Sequence, residues 1–128
     1  MSSVVLDASA LLALLQQEPG AEVVAVALKN SCVSTVNWSE VLQKALASHI
    51  DTVDMQANFE ALGVEFVPFS SHHSELASNL WLKTKPFGLS FGDRACLALA
   101  LDRQAIALTA DSVWTKLQLS VQVQVIRP

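Results

Sequence analysis

The chain has 128 residues, which suits one domain and leaves little room for a second. Hydrophobic residues make up 52% of it, but no apolar run reaches the ~18–20 residues needed to cross a bilayer, so we exclude a membrane-spanning protein. The net charge of −4 gives no support to binding of nucleic acid, because contacts to phosphate need lysine and arginine.

The first residues and the cysteines both bear on the cellular compartment. The amino-terminal segment lacks the basic stretch of a secretory signal peptide. Cys32 and Cys96 lie inside apolar patterns without a metal-binding spacing, so we predict two buried free thiols. Together these features predict a cytoplasmic protein.

In the first half of the chain, short apolar segments alternate with helical patterns. In chain order we predict a strand at 4–6, helices at 8–16 and 21–28, a strand at 32–36, a helix that Asn37 or Ser39 caps and that runs through residue 50, and a helix at 51–62. Pro19, Gly20 and Gly63 supply the stop signals between these elements.

The second half continues the same alternation. In chain order we predict a strand at 64–69, a helix at 71–83, a loop at 86–90, a strongly apolar helix at 91–104, a strand at 105–109, a short helix at 113–117 and a strand at 121–126. Strands that alternate with helices predict an α/β fold, here a single domain over residues 1–128 whose parallel sheet is covered on both faces.

Four of the twelve acidic residues are placed at the ends of these elements. Asp7 follows the first strand and Asp111 follows the fourth, so both lie at carboxyl ends. Glu40 and Asp93 lie in the first turns of helices that run back against the sheet. Because helix amino termini and strand carboxyl ends share one edge in a parallel βαβ unit, we expect all four acids at the edge where α/β sheets bind ligands.

A cluster of four carboxylates predicts a bound cation. Like charges within ~4–6 Å of one another raise the pKa of each group unless a cation neutralises them. Oxygen ligands suit Mg²⁺ and Mn²⁺, and a hydrated ion of this kind can activate water for attack on a phosphodiester. Each acid also has a simpler interpretation, since Asp7, Glu40 and Asp93 could be helix caps or first-turn acids and Asp111 a turn residue.

Four segments of the sequence resemble one known family. They are Val-Val-Leu-Asp-Ala-Ser-Ala-Leu-Leu-Ala-Leu-Leu at 4–15, Val-Asn-Trp-Ser-Glu-Val at 36–41, Leu-Ser-Phe-Gly-Asp-Arg-Ala-Cys-Leu-Ala-Leu-Ala at 89–100 and Leu-Thr-Ala-Asp-Ser-Val-Trp at 108–114. In this order and spacing they resemble PIN-domain ribonucleases of the VapC type, over nearly the whole chain. The resemblance implies a three-layer α/β/α fold with a central five-stranded parallel sheet.

The resemblance also implies a function and a site. Asp7, Glu40, Asp93 and Asp111 would form an acidic site for Mg²⁺ or Mn²⁺, with Asp7 and Asp93 as direct ligands and Glu40 and Asp111 acting through water or as a base. The substrate would be RNA, cut to inhibit translation. The partners would be a second copy in a homodimer and a small antitoxin that binds DNA, so the chain would be the toxin of a toxin–antitoxin pair.

Several nearby residues have a weaker case. Ser9 could hydrogen-bond the Asp7 carboxylate or cap a helix, and Thr109 is a similar supporting candidate. Arg94 could reach a scissile phosphate, but a salt bridge to a neighbouring acid is the simpler interpretation. We expect His72 and His73 to be the exposed start of a helix.

Two other functions are compatible with the fold class. A receiver-like signalling domain would accept a phosphoryl group on an aspartate, but receivers pair two acids after the first strand, whereas Asp7 is followed by Ala8 and Ser9. A catalytically silent binding protein would keep the fold and use its groove for a partner. Failure to bind millimolar Mg²⁺ or Mn²⁺ would favour this last alternative.

Overall fold

Five parallel strands form the centre of the molecule, for which a computed structural model describes residues 3–128. The strands lie in the order β3-β2-β1-β4-β5. Their bounds are β1 Val4–Leu6, β2 Ser31–Ser34, β3 Glu65–Val67, β4 Ile106–Thr109 and β5 Val123–Val125. The predicted five-stranded parallel sheet is thereby confirmed.

Helices connect each strand to the next one along the chain, except for β4 and β5, which are joined through a 3-10 turn. They are α1 Ala8–Leu15, α2 Ala21–Ala27, α3 Thr35–Ala47, α4 Met55–Ala61, α5 Ser71–Asn79, α6 Trp81–Thr84 and α7 Phe91–Arg103. Short 3-10 turns occupy Leu28–Asn30, Lys85–Phe87 and Ser112–Lys116. None of the helices within residues 3–128 has the length and apolar character of a membrane span.

The sheet is buried on both faces. One apolar cluster joins Leu6, Val33 and Leu108 to the inner sides of α1 to α4. The other joins Val5 and Ala107 of the sheet to α7 and to the segment after α5. Alternate residues of each central strand thus enter different cores, which confirms the three-layer α/β/α arrangement and explains the high apolar content.

The order in which strands are added to the sheet reverses between β1 and β4. The first three strands proceed towards one side, and β4 and β5 lie on the other. Ligands of open α/β sheets bind where the order reverses, at the carboxyl ends of the strands. Receiver-like domains have the order 2-1-3-4-5, so this topology excludes the receiver alternative.

Some predicted bounds were wrong for local reasons. The second strand ends at Ser34 instead of residue 36, because the Ser34 hydroxyl accepts a hydrogen bond from the Val36 N–H at 3.2 Å and caps α3. Glu40 therefore lies in the second turn of α3. The helix predicted from residue 51 begins at Met55, because the Asp51 carboxylate accepts from the Val53 N–H at 2.9 Å and Asp54 has a φ of 61°.

The cap at Ser34 gives a first test of this local structure. Replacing Ser34 with alanine leaves the buried start of α3 without its side-chain acceptor, so we expect the free energy of unfolding to fall by about 1 kcal/mol in urea denaturation. Ser39→Ala is the matched control, since the Ser39 side chain is exposed within the helix. An equal loss in the control would contradict the cap assignment.

Candidate active site

Asp7 lies at the carboxyl end of β1, where the strand order reverses. Its N–H donates to the carbonyl of Leu108 at 2.9 Å, which fixes the residue between β1 and β4. Its side chain is only 4% exposed. The Oδ2 atom accepts the hydroxyl of Ser9 at 2.6 Å and that of Thr109 at 3.0 Å. Both supporting residues that the sequence suggested therefore contact Asp7.

Burial makes the Asp7 carboxyl unusual. Desolvation, aided by the negative charges of Asp93 and Glu40, raises its pKa from 3.8 to about 6, although the Ser9 and Thr109 hydrogen bonds act in the opposite direction. A carboxyl group with this pKa is ionised at neutral pH at a cost in free energy, so a nearby positive charge would stabilise it.

Glu40 approaches the site from α3 and is held by Asn37. The amide nitrogen of Asn37 donates to Oε1 of Glu40 at 3.2 Å and to the carbonyl of Gly92 at 2.9 Å. The chain comes so close at Gly92 that a Cβ there would collide with the Glu40 carboxylate. Partial burial and the charge of Asp93 raise the pKa of Glu40.

Asp93 joins the site through the start of α7. It is the third residue of that helix, and its Oδ2 accepts the Ser90 N–H at 2.9 Å while the Ser90 hydroxyl accepts the Asp93 N–H at 3.1 Å. This capping box fixes the carboxylate at the edge of the sheet. The charge of Asp93 contributes to the raised pKa of both Asp7 and Glu40, so the three groups are electrostatic neighbours.

Asp111 lies at the same edge but further out. Its N–H donates to the Thr109 hydroxyl at 3.1 Å, and that hydroxyl in turn donates to Asp7. Its carboxylate is exposed and accepts the Val113 N–H at 3.0 Å. The structure thus brings Asp7, Glu40 and Asp93 together and links Asp111 to them through Thr109.

The oxygen atoms of this site suit a hard cation such as Mg²⁺, but the number of direct ligands is small. Among residues 3–128, no three His, Cys, Asp or Glu side chains are close enough to be ligands of one metal ion. Mg²⁺ usually takes one or two carboxylates and completes its shell with water, so fewer direct ligands suffice. The Oδ1 atom of Asn37 is buried without a hydrogen-bond partner in the described chain, and it offers an acceptor beside Glu40.

Two predicted polar residues take other positions. The guanidinium of Arg94 donates to the Ala77 carbonyl at 2.9 Å and forms no ion pair within residues 3–128, so the expected salt bridge is wrong. His73 is buried, against the expectation of an exposed helix start. Its Nδ1 accepts the Ser70 N–H, and its Nε2 lies 2.9 Å from Asp102.

From the sequence Asn37 is a candidate helix cap, whereas in the structure its side chain contacts Glu40 and Gly92. The available signal was helical spacing, because Asn37 lies three residues before Glu40 and so shares its face of α3. Gly92 was missed as well, although its place next to Asp93 pointed to a close approach of the backbone.

Asn37 supplies a second test. Asn37→Ala removes one buried and one partly buried hydrogen bond and leaves the Gly92 carbonyl without its side-chain donor, so we expect the free energy of unfolding to fall by roughly 1–3 kcal/mol. Asn58→Ala, at an exposed position of α4, should change it by less than about 0.5 kcal/mol. Chemical denaturation of both variants measures the difference, and similar values would contradict the role of Asn37.

Comparison with known proteins identifies a family. A family model of the PIN domain matches residues 4–118 of the chain. No curated protein matches the sequence.

Solved structures with similar folds come from bacterial complexes. A toxin–antitoxin complex from Klebsiella pneumoniae matches with 22% identity and a TM-score of 0.68, covering 86% of this chain and 88% of that one. DNA-bound VapBC from Salmonella typhimurium matches with 11% identity and a TM-score of 0.73, covering 98% and 99%. VapBC-1 from nontypeable Haemophilus influenzae matches with 20% identity and a TM-score of 0.65, covering 96% and 97%. At these identities the matches establish a shared fold.

Proposed function

The chain belongs to the PIN domain family, and from that premise we propose that it is a VapC-type toxin, an endoribonuclease dependent on Mg²⁺ or Mn²⁺ that cuts RNA and so inhibits translation. The observation that carries the proposal is the buried Asp7, whose pKa of about 6 reflects burial and the nearby charges of Asp93 and Glu40. Acidic groups held together in this way are suited to a divalent cation.

Each acidic residue has a role in this proposal. Asp7 and Asp93 would hold the ion directly, and Glu40 and Asp111 would support it through water. When bound, the ion would supply positive charge to the phosphate and lower the pKa of water. Ser9 and Thr109 orient the Asp7 carboxylate, and Asn37 orients Glu40.

The chain's own residues can also move the proton. Hydrolysis joins a water oxygen to phosphorus, breaks the bond from phosphorus to the leaving oxygen, and ends with a proton on that oxygen. Glu40 is suited to accept the proton of the attacking water, because its raised pKa makes it a stronger base than an exposed glutamate. The leaving oxygen takes its proton from solvent water, and Glu40 returns its own to solvent.

The proposed partners are an antitoxin and a second copy of the chain. The three structures compared above are toxin–antitoxin or VapBC complexes, and the one from Salmonella typhimurium is bound to DNA, which supports a small DNA-binding antitoxin. Large apolar side chains are exposed on several helices and the loop before α4, and Val26, Val53 and Leu82 are each more than 70% exposed. Exposed apolar side chains of this kind are suited to contact with a second copy of the chain or with an antitoxin. The proposed location of these complexes is the cytoplasm.

Removal of the metal tests the proposed activity. We expect the purified chain to cut end-labelled single-stranded RNA with Mg²⁺ or Mn²⁺, to stop in EDTA, and to recover when excess Mn²⁺ is added, because without a cation the acidic residues repel the scissile phosphate and cannot activate water. Cleavage that continues unchanged in EDTA would contradict metal dependence. No cleavage, together with no binding of millimolar metal, would instead favour the catalytically silent PIN-fold protein.

A further inference from the structure

A cleft of about 360 Å³ opens beside the acidic site, between α1, α3 and the segment after β5. Ser9 is among its lining residues, and the hydroxyl of Ser9 donates to Asp7 at 2.6 Å, so the cleft lies next to the acidic site. Lys44 and Arg127 also line it. Its volume lies within the roughly 300–1,000 Å³ of ordinary ligand sites, so part of a polymer chain can enter it.

The cleft contains two of the eight lysines and arginines of this acidic protein, Lys44 and Arg127. Several of the others have local partners. Arg103 binds both oxygens of Glu65 at 3.0 Å, Arg94 donates to the Ala77 carbonyl, and Lys85 lies 4.8 Å above the ring of Trp81.

Lys44 is available to a ligand and acts on the site. It lies one helical turn after Glu40 in α3, is exposed, and has no ion-pair partner within residues 3–128. Residues four positions apart share one face of a helix, so Lys44 lies beside the acidic cluster.

Arg127 lines the cleft from the segment after β5. Its Nη1 atom lies 3.3 Å from Oε1 of Glu18 and donates to the Pro19 carbonyl at 2.9 Å. Both contacts use one nitrogen, so the remaining donors of the guanidinium can bind an anion. Gln16 and Ser48 add neutral hydrogen-bonding groups to the lining.

We propose that this cleft binds the phosphodiester backbone of the substrate strand next to the scissile bond, with Lys44 and Arg127 contacting its phosphate oxygens. The proposal rests on the ribonuclease function proposed above. A strand whose scissile phosphate sits at Asp7 must leave the acidic cluster in some direction, and its next phosphates are repelled there. Two cations beside Ser9 offset that repulsion in one direction along the surface.

The test compares single charge removals. Lys44→Gln and Arg127→Gln are measured against Lys29→Gln, which makes the same charge change just before β2, at the opposite edge of the sheet. The probe is a fluorescently labelled single-stranded RNA, whose anisotropy is followed in EDTA over a series of salt concentrations. Metal-supported cleavage is measured in parallel.

We expect each cleft variant to weaken binding roughly threefold to tenfold for any RNA sequence and to lower the salt slope by about one, because each loses one phosphate contact. KM should rise while kcat changes little. Lys29→Gln should match the wild type. Binding and salt slopes for both cleft variants that equal those of Lys29→Gln would overturn the proposal.

Glu18→Gln gives a test of opposite sign. Loss of the negative charge beside Arg127 should tighten RNA binding. If the ion pair between Arg127 and Glu18 is only structural, the variant will be less stable and will bind RNA no more tightly, and this result would overturn the role of Arg127. The two proposals fail in different ways. If the wild type cuts RNA but the cleft variants behave like the control, only the cleft proposal falls, and if the wild type neither binds nor cuts RNA, both fall.

Discussion

Replacing Asp7 with asparagine is expected to lower RNA cleavage by at least about a hundredfold and, at the same time, to stabilise the metal-free protein. Activity falls because the neutral amide cannot hold the cation or its positive charge. The fold survives because the amide oxygen still accepts the Ser9 and Thr109 hydroxyls that now bind Oδ2.

The gain in stability follows from the pKa of Asp7. In the folded protein this pKa is about 6, against 3.8 for an ordinary aspartate, so the folded state holds its proton more tightly than the unfolded state. The free energy of unfolding should therefore fall as pH rises from about 4 to about 6, and stay low above that range. The difference of about two pH units corresponds to at most roughly 3 kcal/mol.

Urea denaturation in EDTA between pH 4 and pH 8 measures this effect. The Asp7→Asn variant should lose the part of the pH dependence that Asp7 contributes and should be more stable than the wild type at pH 7. Asp54→Asn makes the same chemical change at an exposed position and should leave activity and stability close to the wild type. If the Asp7→Asn protein is less stable than the wild type at pH 7, this would contradict the claim that burial of the charged Asp7 destabilises the folded state.

Asp93→Asn is expected to lower cleavage by at least about a hundredfold as well, since it removes the second proposed ligand. Asp93 also caps α7, so lost activity alone does not separate chemistry from folding.

Ser90→Ala distinguishes a loss of chemistry from a loss of folding. It removes the other half of the capping box but leaves the Asp93 carboxylate in place. We expect it to cost about 1 kcal/mol of stability while keeping cleavage within a few fold of the wild type. Steady-state cleavage rates and thermal unfolding of the two variants make the comparison. Equal losses of activity would mean that Asp93 acts through the helix start alone.

Much of the fold follows from the sequence because its signals are local. The alternation of short apolar strands with helical patterns predicted five parallel strands, and each observed strand overlaps its predicted range. The errors lie where a side chain competes with the regular pattern. Ser34 ends β2 early, and Asp51 delays α4, because short polar side chains bind the backbone nearby.

The closeness of the acidic residues could be predicted for a different reason. Acids after β1 and β4 and near the starts of α3 and α7 must share one edge of a parallel sheet, so the proximity of Asp7, Glu40 and Asp93 follows from topology. The roles of Asn37 and His73 depend on contacts with residues distant in the sequence. Asn37 contacts Gly92, which lies 55 positions further along the chain, and His73 contacts Asp102, which lies 29 positions further along. Tertiary packing sets such contacts, and no local pattern encodes them.

The most direct measurement of the central claim is the binding of Mn²⁺, followed by electron paramagnetic resonance, to the wild type, Asp7→Asn and Asp54→Asn. If the carboxylates at the carboxyl edge of the sheet hold the ion, the wild type and Asp54→Asn will bind Mn²⁺ at submillimolar to millimolar concentrations, and Asp7→Asn will bind at least about tenfold more weakly. Equal affinities in all three proteins would contradict the account.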